Sequence, residues 1–482
     1  MDNPLAYYQK HLEIYKVEVQ KLYKKMTALS VYRLLVFVIT AIGIYITFQQ
    51  WQVVVFIGIT GVALFLFLLS KYNDIKAKKQ FNEALVNINN DEINIASGNF
   101  YDRDAGLPFQ DANHYYSLDI DLFGRGSFFQ FINRTTIKEG TQKLADALKA
   151  NNIEAIVLRQ DAIKELNGKP QWRQHYSATS SLVSVETPAK QIINWLQHYE
   201  SFLPQIAKWL PLGFTLISIL IFGLGIFDIF NAMFIGYWLL LGLGITGFYV
   251  KKINILSSKT DKVKETFRQY ASLLELIEKE SFSSELLKQK QQQIQQEGKK
   301  ASVIFKELSN TLDALDNRNN LISAIFGNGY FLSDIKNSYH IEQWITQHAD
   351  KVADWFEAVS FFDAFNSLGN FAFNHSDFVF PSIIENDVVI KADSLGHPLL
   401  NNSKRVDSNL TINNEQFFIV TGANMAGKST FLRTVSLHIV MANVGLPVCA
   451  KSSSYSPVKL ITSMRTTDSL TDDSSYFFSE LT

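Results

Sequence analysis

The sequence predicts a multi-domain chain: an α-helical core interrupted by transmembrane helical hairpins, followed by an incomplete α/β P-loop domain. Three observations carry that prediction. Two long runs, Leu34 to Ser70 and Trp209 to Val250, hold no Lys, Arg, Asp or Glu except Asp228. Most of the remaining chain repeats its apolar residues at helical spacing. Beyond about residue 376, short apolar runs punctuated by Gly, Pro and Asn lead into a glycine-rich loop and a further helix.

Composition bounds the rest. A chain of 482 residues is long enough for several domains, and 47% hydrophobic content excludes intrinsic disorder. Charged residues make up 19%, below the roughly 25% of soluble chains. The charge is balanced, 45 basic against 46 acidic residues, so no global field draws the chain to nucleic acid or anionic lipid. Cys449 is the sole cysteine, which excludes an intramolecular disulfide framework and a cysteine-rich zinc site. Its expected state is a small buried hydrophobe.

Residues 1–30 place Leu5, Tyr8, Leu12, Tyr15, Val19 and Leu22 on one helical face, an amphipathic helix that leads into the first apolar run. Residues 31–70 are expected to form hairpin 1. An uncharged stretch of 37 residues is too long for one straight span at about 1.5 Å per residue, and the polar break Gln49 to Gln52 divides it into two arms. Residues 71–206 form the first part of a helical core, with a turn at Gly124 to Gly126 and helices from Ser127 onward. Residues 207–250 form hairpin 2, its arms Trp209 to Phe227 and Ala232 to Val250 joined by a short connection with Asp228 and Asn231. Residues 251–375 read as a second helical, lever-like part. Residues 376–482 carry the expected strands Phe378 to Ile383, Val388 to Ile390 and Phe417 to Val420.

The basic residues give the expected orientation. Lys21, Lys24, Lys25 and Arg33 precede hairpin 1, Lys71, Lys76, Lys78 and Lys79 follow it, and Lys208 with Lys251 and Lys252 bracket hairpin 2. The hairpin turns carry none. By the positive-inside rule this is a multi-pass protein of the cell (inner) membrane with four spans and its polar parts in the cytoplasm.

Glu415 to Val420 leads into Gly422, Ala423, Asn424, Met425, Ala426, Gly427, Lys428 and Ser429, and a helix follows from Thr430. This is G-x-x-x-x-G-K-[ST], the phosphate-binding loop, between an expected strand and a helix. The glycines let successive backbone N–H groups turn toward phosphate oxygens, at the positive end of the helix. Lys428 suits the β and γ phosphates and the Ser429 hydroxyl suits Mg²⁺, so ATP with Mg²⁺ is the expected cofactor.

The stretch from Thr421 to Thr430, with Phe431, Leu432 and Arg433, resembles the Walker A segment of the MutS family of mismatch-repair ATPases, most distinctively at Asn424 and Met425. Gly396, His397 and Pro398 resemble that family's motif ahead of its ABC-like ATPase core. Asp468, Leu470, Ser475, Phe477 and Glu480 resemble the segment of its signature serine, which makes Ser475 the residue expected to reach a partner's nucleotide in a homodimer. Ser127 to Leu148 with Arg159 and Gln160 resembles the start of the family's helical core.

Departures shape the remaining expectations. The N-terminal mismatch-reading and connector domains have no counterpart, and Phe81, Asn82 and Glu83 have a wedge motif's letters inside a basic helical stretch. Hairpin 2 falls where the family has its DNA clamp. The adenine-stacking aromatic is missing around Lys404 to Asn409, where Arg405 takes its place. No apolar strand ending in Asp-Glu, the Walker B element, follows Ser429, so no catalytic set is complete and a truncated form is expected. The resemblance implies a membrane-anchored, nucleotide-dependent dimeric switch, with DNA as a partner by family alone. The alternatives are an ATP-driven membrane transporter, which lacks its Leu-Ser-Gly-Gly-Gln type signature here, and a non-catalytic membrane scaffold.

Overall fold

The computed structural model describes residues 3–182, 187–227, 233–295, 299–385, 387–401, 403–423 and 426–463. Asp228 and Asn231, Asn424 and Met425, and Ser475 with the rest of its segment lie outside the described residues.

Helix α1 (Pro4–Ile46) starts where Asn3 Oδ1 accepts a hydrogen bond from Leu5 N at 3.0 Å, with Pro4 in the first turn, where its missing N–H costs nothing. The expected amphipathic helix and the first apolar arm are one rod, because no proline follows Pro4 to break it. The chain turns at Thr47 to Gln50, close to the predicted polar break, into α2 (Trp51–Ala96). Then come α3 (Phe128–Ile132), capped by Ser127, α4 (Lys138–Lys149), α5 (Ile156–Asn167), α6 (Pro170–Ser181) and α7 (Ala189–Gln197). The second apolar run forms α8 (Leu210–Ile226) and α9 (Met233–Asp261), followed by α10 (Lys264–Lys279), α11 (Glu285–Gln293), α12 (Ala301–Asp316), α13 (Leu321–Phe331) and the 42-residue α14 (Ser333–Asn374). Strands β1 (Ser382–Ile383), β2 (Val388–Leu395), β3 (Ser408–Asn413) and β4 (Ser452–Tyr455) make one sheet, with α15 (Lys428–Val444) between β3 and β4.

By length and composition three described helices, α1, α2 and α9, can cross a membrane, against the four spans expected from the sequence. Helix α8 has 17 residues, about 25 Å at 1.5 Å per residue, short of the roughly 30 Å hydrocarbon layer.

The sheet order is β1-β4-β2-β3, with β1 parallel to β4 and the other pairs antiparallel. Its strands correct the sequence reading at three places. Of Phe378 to Ile383 only Ser382 and Ile383 pair as a strand. Strands β3 and β4 are built from Ser-, Asn- and Thr-rich sequence that alternation of apolar residues does not reveal. Phe417 to Val420 forms no strand, and its side chains are exposed. Its β-branched and aromatic residues favour a pleated surface only where a neighbouring strand completes the ladder, and no described strand lies beside it.

The chain divides into two compact units, one of Met1–Arg134, Leu144–Leu182 and Asn366–Thr482, the other of Thr135–Lys143 and Val183–Phe365. The first unit is pinned by a buried polar network that the sequence did not single out. Glu92 on α2 accepts from Arg134 Nε at 2.5 Å, from Asn370 Nδ2 at 2.9 Å and from Asn374 Nδ2 at 2.8 Å. Tyr8 on α1 donates to Asn374 Oδ1 at 2.7 Å, and Arg173 on α6 donates to Asn370 Oδ1 at 2.5 Å. Burial raises the Glu92 carboxyl, but the Arg134 charge and these hydrogen bonds outweigh it and hold the group below its ordinary value. In the same unit Phe81 stacks edge-on against His175, and Glu83 pairs with Lys79, so the wedge-like letters serve helix packing.

In the second unit, Phe267, Phe305, Trp344 and Phe356 form the aromatic centre between α10, α12 and α14. The 11-residue α13, which the sequence reading passed over, packs against α8 and α9. Ser218 Oγ donates to Tyr330 O at 2.7 Å and accepts from Trp238 Nε1 at 2.8 Å. Gly242 permits that approach, since a Cβ there would sit 2.7 Å from the carbonyl carbon of Gly329.

Candidate functional site

Helix α15 is half exposed and half core. Leu437 to Val444 are all buried, whereas Ser429, Thr430 and the loop residues Thr421, Gly422, Ala423, Ala426 and Gly427 are exposed. The helix therefore presents its first turn outward from a fixed root. Gly427 stands just before it with φ of 85°, a left-handed conformation that glycine adopts without a Cβ penalty. Phe431 N donates to Gly427 O at 2.9 Å, and Ala426 N closes a tight turn onto Ala423 O at 3.2 Å. The N–H groups of Lys428, Ser429 and Thr430 open the helix, where intrahelical acceptors are lacking by construction.

Lys428 folds back over this loop. Its Nζ donates to Gly422 O at 2.6 Å and to Ala423 O at 2.8 Å. A Cβ placed on Gly422 would lie 3.5 Å from Ala426 Cβ and 3.8 Å from Lys428 Cγ, inside the curl of the loop. Donor ammonium, glycine curl and open helix end thus meet at one exposed place, and these groups suit a polyphosphate. Among the described residues no group of three or more His, Cys, Asp or Glu is arranged to hold a metal ion.

The root of the site is specific. Arg433 Nε donates to Asp119 O at 3.0 Å and its Nη1 pairs with Asp121 at 2.8 Å, tying the second turn of α15 to the loop before α3. His397 is pushed down to about 4 by burial first and by the Arg433 charge second, so the Gly396-His397-Pro398 loop carries a neutral imidazole near that arginine. His438, farther along α15, is held to about 4 by burial, with Ser453 Oγ 3.2 Å from its Nε2. Arg405 is committed elsewhere: its Nε donates to Asp407 Oδ1 at 2.7 Å, and a Cβ on Gly396 would meet that nitrogen at 2.5 Å. Only 14% of the Arg405 side chain is exposed. Cys449 is buried, and burial pushes its thiol up to about 11.

The sequence pair Arg159 and Gln160 gains a structural meaning here. Arg159 Nε and Nη2 donate to Asn443 O at 3.2 and 2.7 Å, placing a cation on the last carbonyls of α15, and Gln160 Nε2 donates to Pro381 O at 2.9 Å. Gly445, with φ of 92°, ends α15 so closely that an added Cβ would lie 2.8 Å from Arg159 Cβ and 3.0 Å from Gln160 N. Gly445→Ala is expected to cost about 2–4 kcal/mol, from left-handed strain plus overlap. Gly98→Ala, at φ of 91° with nothing within 4 Å, is expected to cost only the strain. Thermal unfolding of the two variants side by side checks this, and equal shifts would contradict the close-approach argument.

A cleft of about 540 Å³ in the first unit runs beside Pro398 to Asn401 and reaches Tyr8, Glu92 and Arg134. No local pattern marks it, because its polar lining comes from residues far apart in the chain, such as Tyr8, Glu92, Arg134 and Asn401.

A family model, MutS domain V, matches residues 418–482. The chain is 31% identical over 149 residues to a DNA mismatch repair protein MutS of Clostridium tetani, covering 29% of this chain and 17% of that protein. It is 35% identical over 104 residues to the corresponding protein of Halothermothrix orenii, covering 20% and 12%. A DNA mismatch repair protein MutS 1 of Haloarcula marismortui is 32% identical over 141 residues, covering 28% and 15%. The chain thus spans about a sixth or less of the length of these relatives. Through its segment 418–482, this chain is thus similar to domain V of the MutS family.

Proposed function

We propose that this chain is a membrane-anchored, ATP-binding protein of the MutS type, a nucleotide-dependent switch that works as a homodimer through its P-loop domain. The observation that carries the reading is the loop Gly422 to Thr430, in which the Lys428 ammonium rests on two loop carbonyls at the open end of α15. Those carbonyls are acceptors that a phosphate oxygen would outcompete for a charged donor. Gly422, Asn424, Met425, Ala426, Gly427 and Thr430 would line the phosphates, Lys428 would neutralise the β and γ groups, and Ser429 would lie at Mg²⁺. The bound ion would supply charge neutralisation across the phosphates. Ser475 would reach the nucleotide of the second copy, as the family resemblance implies.

Anchoring rests on α1 and α2, whose most apolar stretches are entirely unburied, and on α9. Leu34, Phe37, Ile39, Phe56, Ile59 and Phe67 face outward on these rods, and such a continuous apolar surface is stable only against lipid or protein. Arg33 lies over the Phe65 and Tyr72 rings at 4.9 and 5.4 Å, at the charged end of the hairpin where an interfacial anchor belongs. The cytoplasmic face of the cell membrane is the proposed location of the polar parts. The relatives' mismatch-repair names suggest a related role with DNA as a partner.

Two measurements test the reading. Alkaline carbonate extraction is expected to leave the chain in the membrane pellet, and release into the supernatant would remove the anchor. Association with duplex or branched DNA is expected to weaken steeply with salt, and no salt-dependent association would remove DNA.

A further inference from the structure

The second unit holds a groove of about 390 Å³ where the chain leaves the apolar part of α9. On one side stand Lys252, Ile255, Leu256 and Lys259, the i, i+3, i+4, i+7 face of α9. Opposite are Trp195, His198, Tyr199 and Phe202, from the end of α7 and the segment after it. That segment continues to Trp209 and into the apolar α8, so the groove is bounded on both sides by chain entering an apolar helix.

Its lining carries two lysines on one helix face. Lys252 lies over the Phe202 ring at 5.7 Å, and among the described residues neither it nor Lys259 stands in a salt bridge. The indole Nε1 of Trp195 is buried with no hydrogen-bond partner. An unsatisfied buried donor costs about 1–3 kcal/mol unless a ligand accepts from it. Glu342 accepts from Tyr199 Oη at 3.0 Å, Phe202 N at 2.8 Å and Leu203 N at 3.3 Å, bonds that fix the segment in place, and the Lys252 charge acts on its carboxyl from beyond salt-bridge distance. Glu200 is the acidic residue on the lining, and His198 Nδ1 lies 2.9 Å from Asn194 O.

Depth completes the argument. Lys252 lies two residues beyond Val250, the end of the uncharged run, about 3 Å along the helix and therefore at headgroup level if α9 spans. From two lysines without a salt-bridge partner among the described residues, an orphan indole donor and the depth of Lys252, we propose that this groove binds the phosphate headgroup of an anionic phospholipid. The lysines take the phosphate oxygens and Trp195 Nε1 donates to the headgroup, while the acyl chains stay in the bilayer beside the apolar run that ends at Val250. The proposal rests on the membrane reading of α9.

The test uses the full chain in detergent, titrated with short-chain phosphatidylglycerol, short-chain phosphatidylcholine or inorganic phosphate, with retained lipid counted by native mass spectrometry. Phosphatidylglycerol is expected to bind at least about tenfold tighter than phosphatidylcholine, and Lys252→Gln with Lys259→Gln to abolish the difference. Trp195→Phe, which keeps the ring and loses the donor, is expected to weaken phosphatidylglycerol about threefold or more. The control pair Lys251→Gln with Lys262→Gln makes the same charge change outside the groove and should leave the preference intact. Equal binding of the two lipids, an equal loss in the control pair, or inorganic phosphate binding as tightly as phosphatidylglycerol would each overturn the proposal. Carbonate extraction reports separately whether the membrane reading itself fails.

Discussion

Lys428→Ala is expected to weaken Mg-ATP binding by about 100-fold or more while leaving thermal stability unchanged. The magnitude follows from two lost charge-assisted hydrogen bonds at about 1.5–3 kcal/mol each, with a factor of ten per 1.4 kcal/mol. The stability half follows from position: Lys428 bonds exposed loop carbonyls, Gly422 O and Ala423 O, and the buried part of α15 begins six residues later, at Thr434. Lys428→Arg is not expected to rescue binding, because a planar fork does not replace a compact ammonium inside a tight loop. Titration of the purified full chain with a fluorescent ATP analogue reads the loss. A variant that bound as tightly as the parent would separate the loop from nucleotide, whatever the fold of the domain.

Glu92→Ala is expected to destabilise the first unit by about 3–5 kcal/mol, the range for removing one partner of a buried ion pair. The variant leaves the Arg134 guanidinium, whose side chain is 11% exposed, without its carboxylate, and it strips acceptors from Asn370 and Asn374. Replacing both partners by apolar residues, Glu92→Leu with Arg134→Met, should recover much of the loss, since two uncharged groups carry no uncompensated charge. The pH dependence has a definite sign. The folded Glu92 carboxyl lies below its ordinary value of 4.5, so the ionised form is favoured by folding. Its contribution is complete above that value and is lost as pH falls through the lower folded value. Thermal unfolding between pH 7 and about pH 3, parent against variant, should show the gap closing only at the acid end. A gap that stayed constant would assign the effect to packing alone.

How much of this was legible in the sequence depends on what each signal reports. Charge-free runs report hydrophobic surface, and they located the end of α1, the start of α2, the whole of α8 and the start of α9 within a few residues, with the turn at Thr47 to Gln50 near the polar break. They could not report that α1 continues unbroken from Pro4, since a change from amphipathic to apolar character does not interrupt a helix. The 11-residue α13 is shorter than a span and lies inside helical pattern, so it carried no mark of its packing on α8 and α9. Periodicity found the helices of the second unit because their aromatic stripes face one another.

The site shows the same division. The glycine-lysine motif from Gly422 to Ser429 was legible as a local pattern, because glycine and lysine at fixed spacing are read from neighbours in the chain. The strand expected ahead of it was not, because β pairing is a property of neighbours, and Phe417 to Val420 has none among the described residues. The Glu92 network escaped altogether. Its members stand at positions 8, 92, 134, 173, 370 and 374, and only folding brings them together.

Photo-crosslinking with labelled azido-ATP, performed on membranes and followed by alkaline carbonate washing, tests the central claim in one measurement. The account predicts label on this chain in the washed pellet, displaced by excess Mg-ATP and absent from Lys428→Ala. No displaceable label on the parent chain, or labelled chain released into the carbonate supernatant, would contradict it.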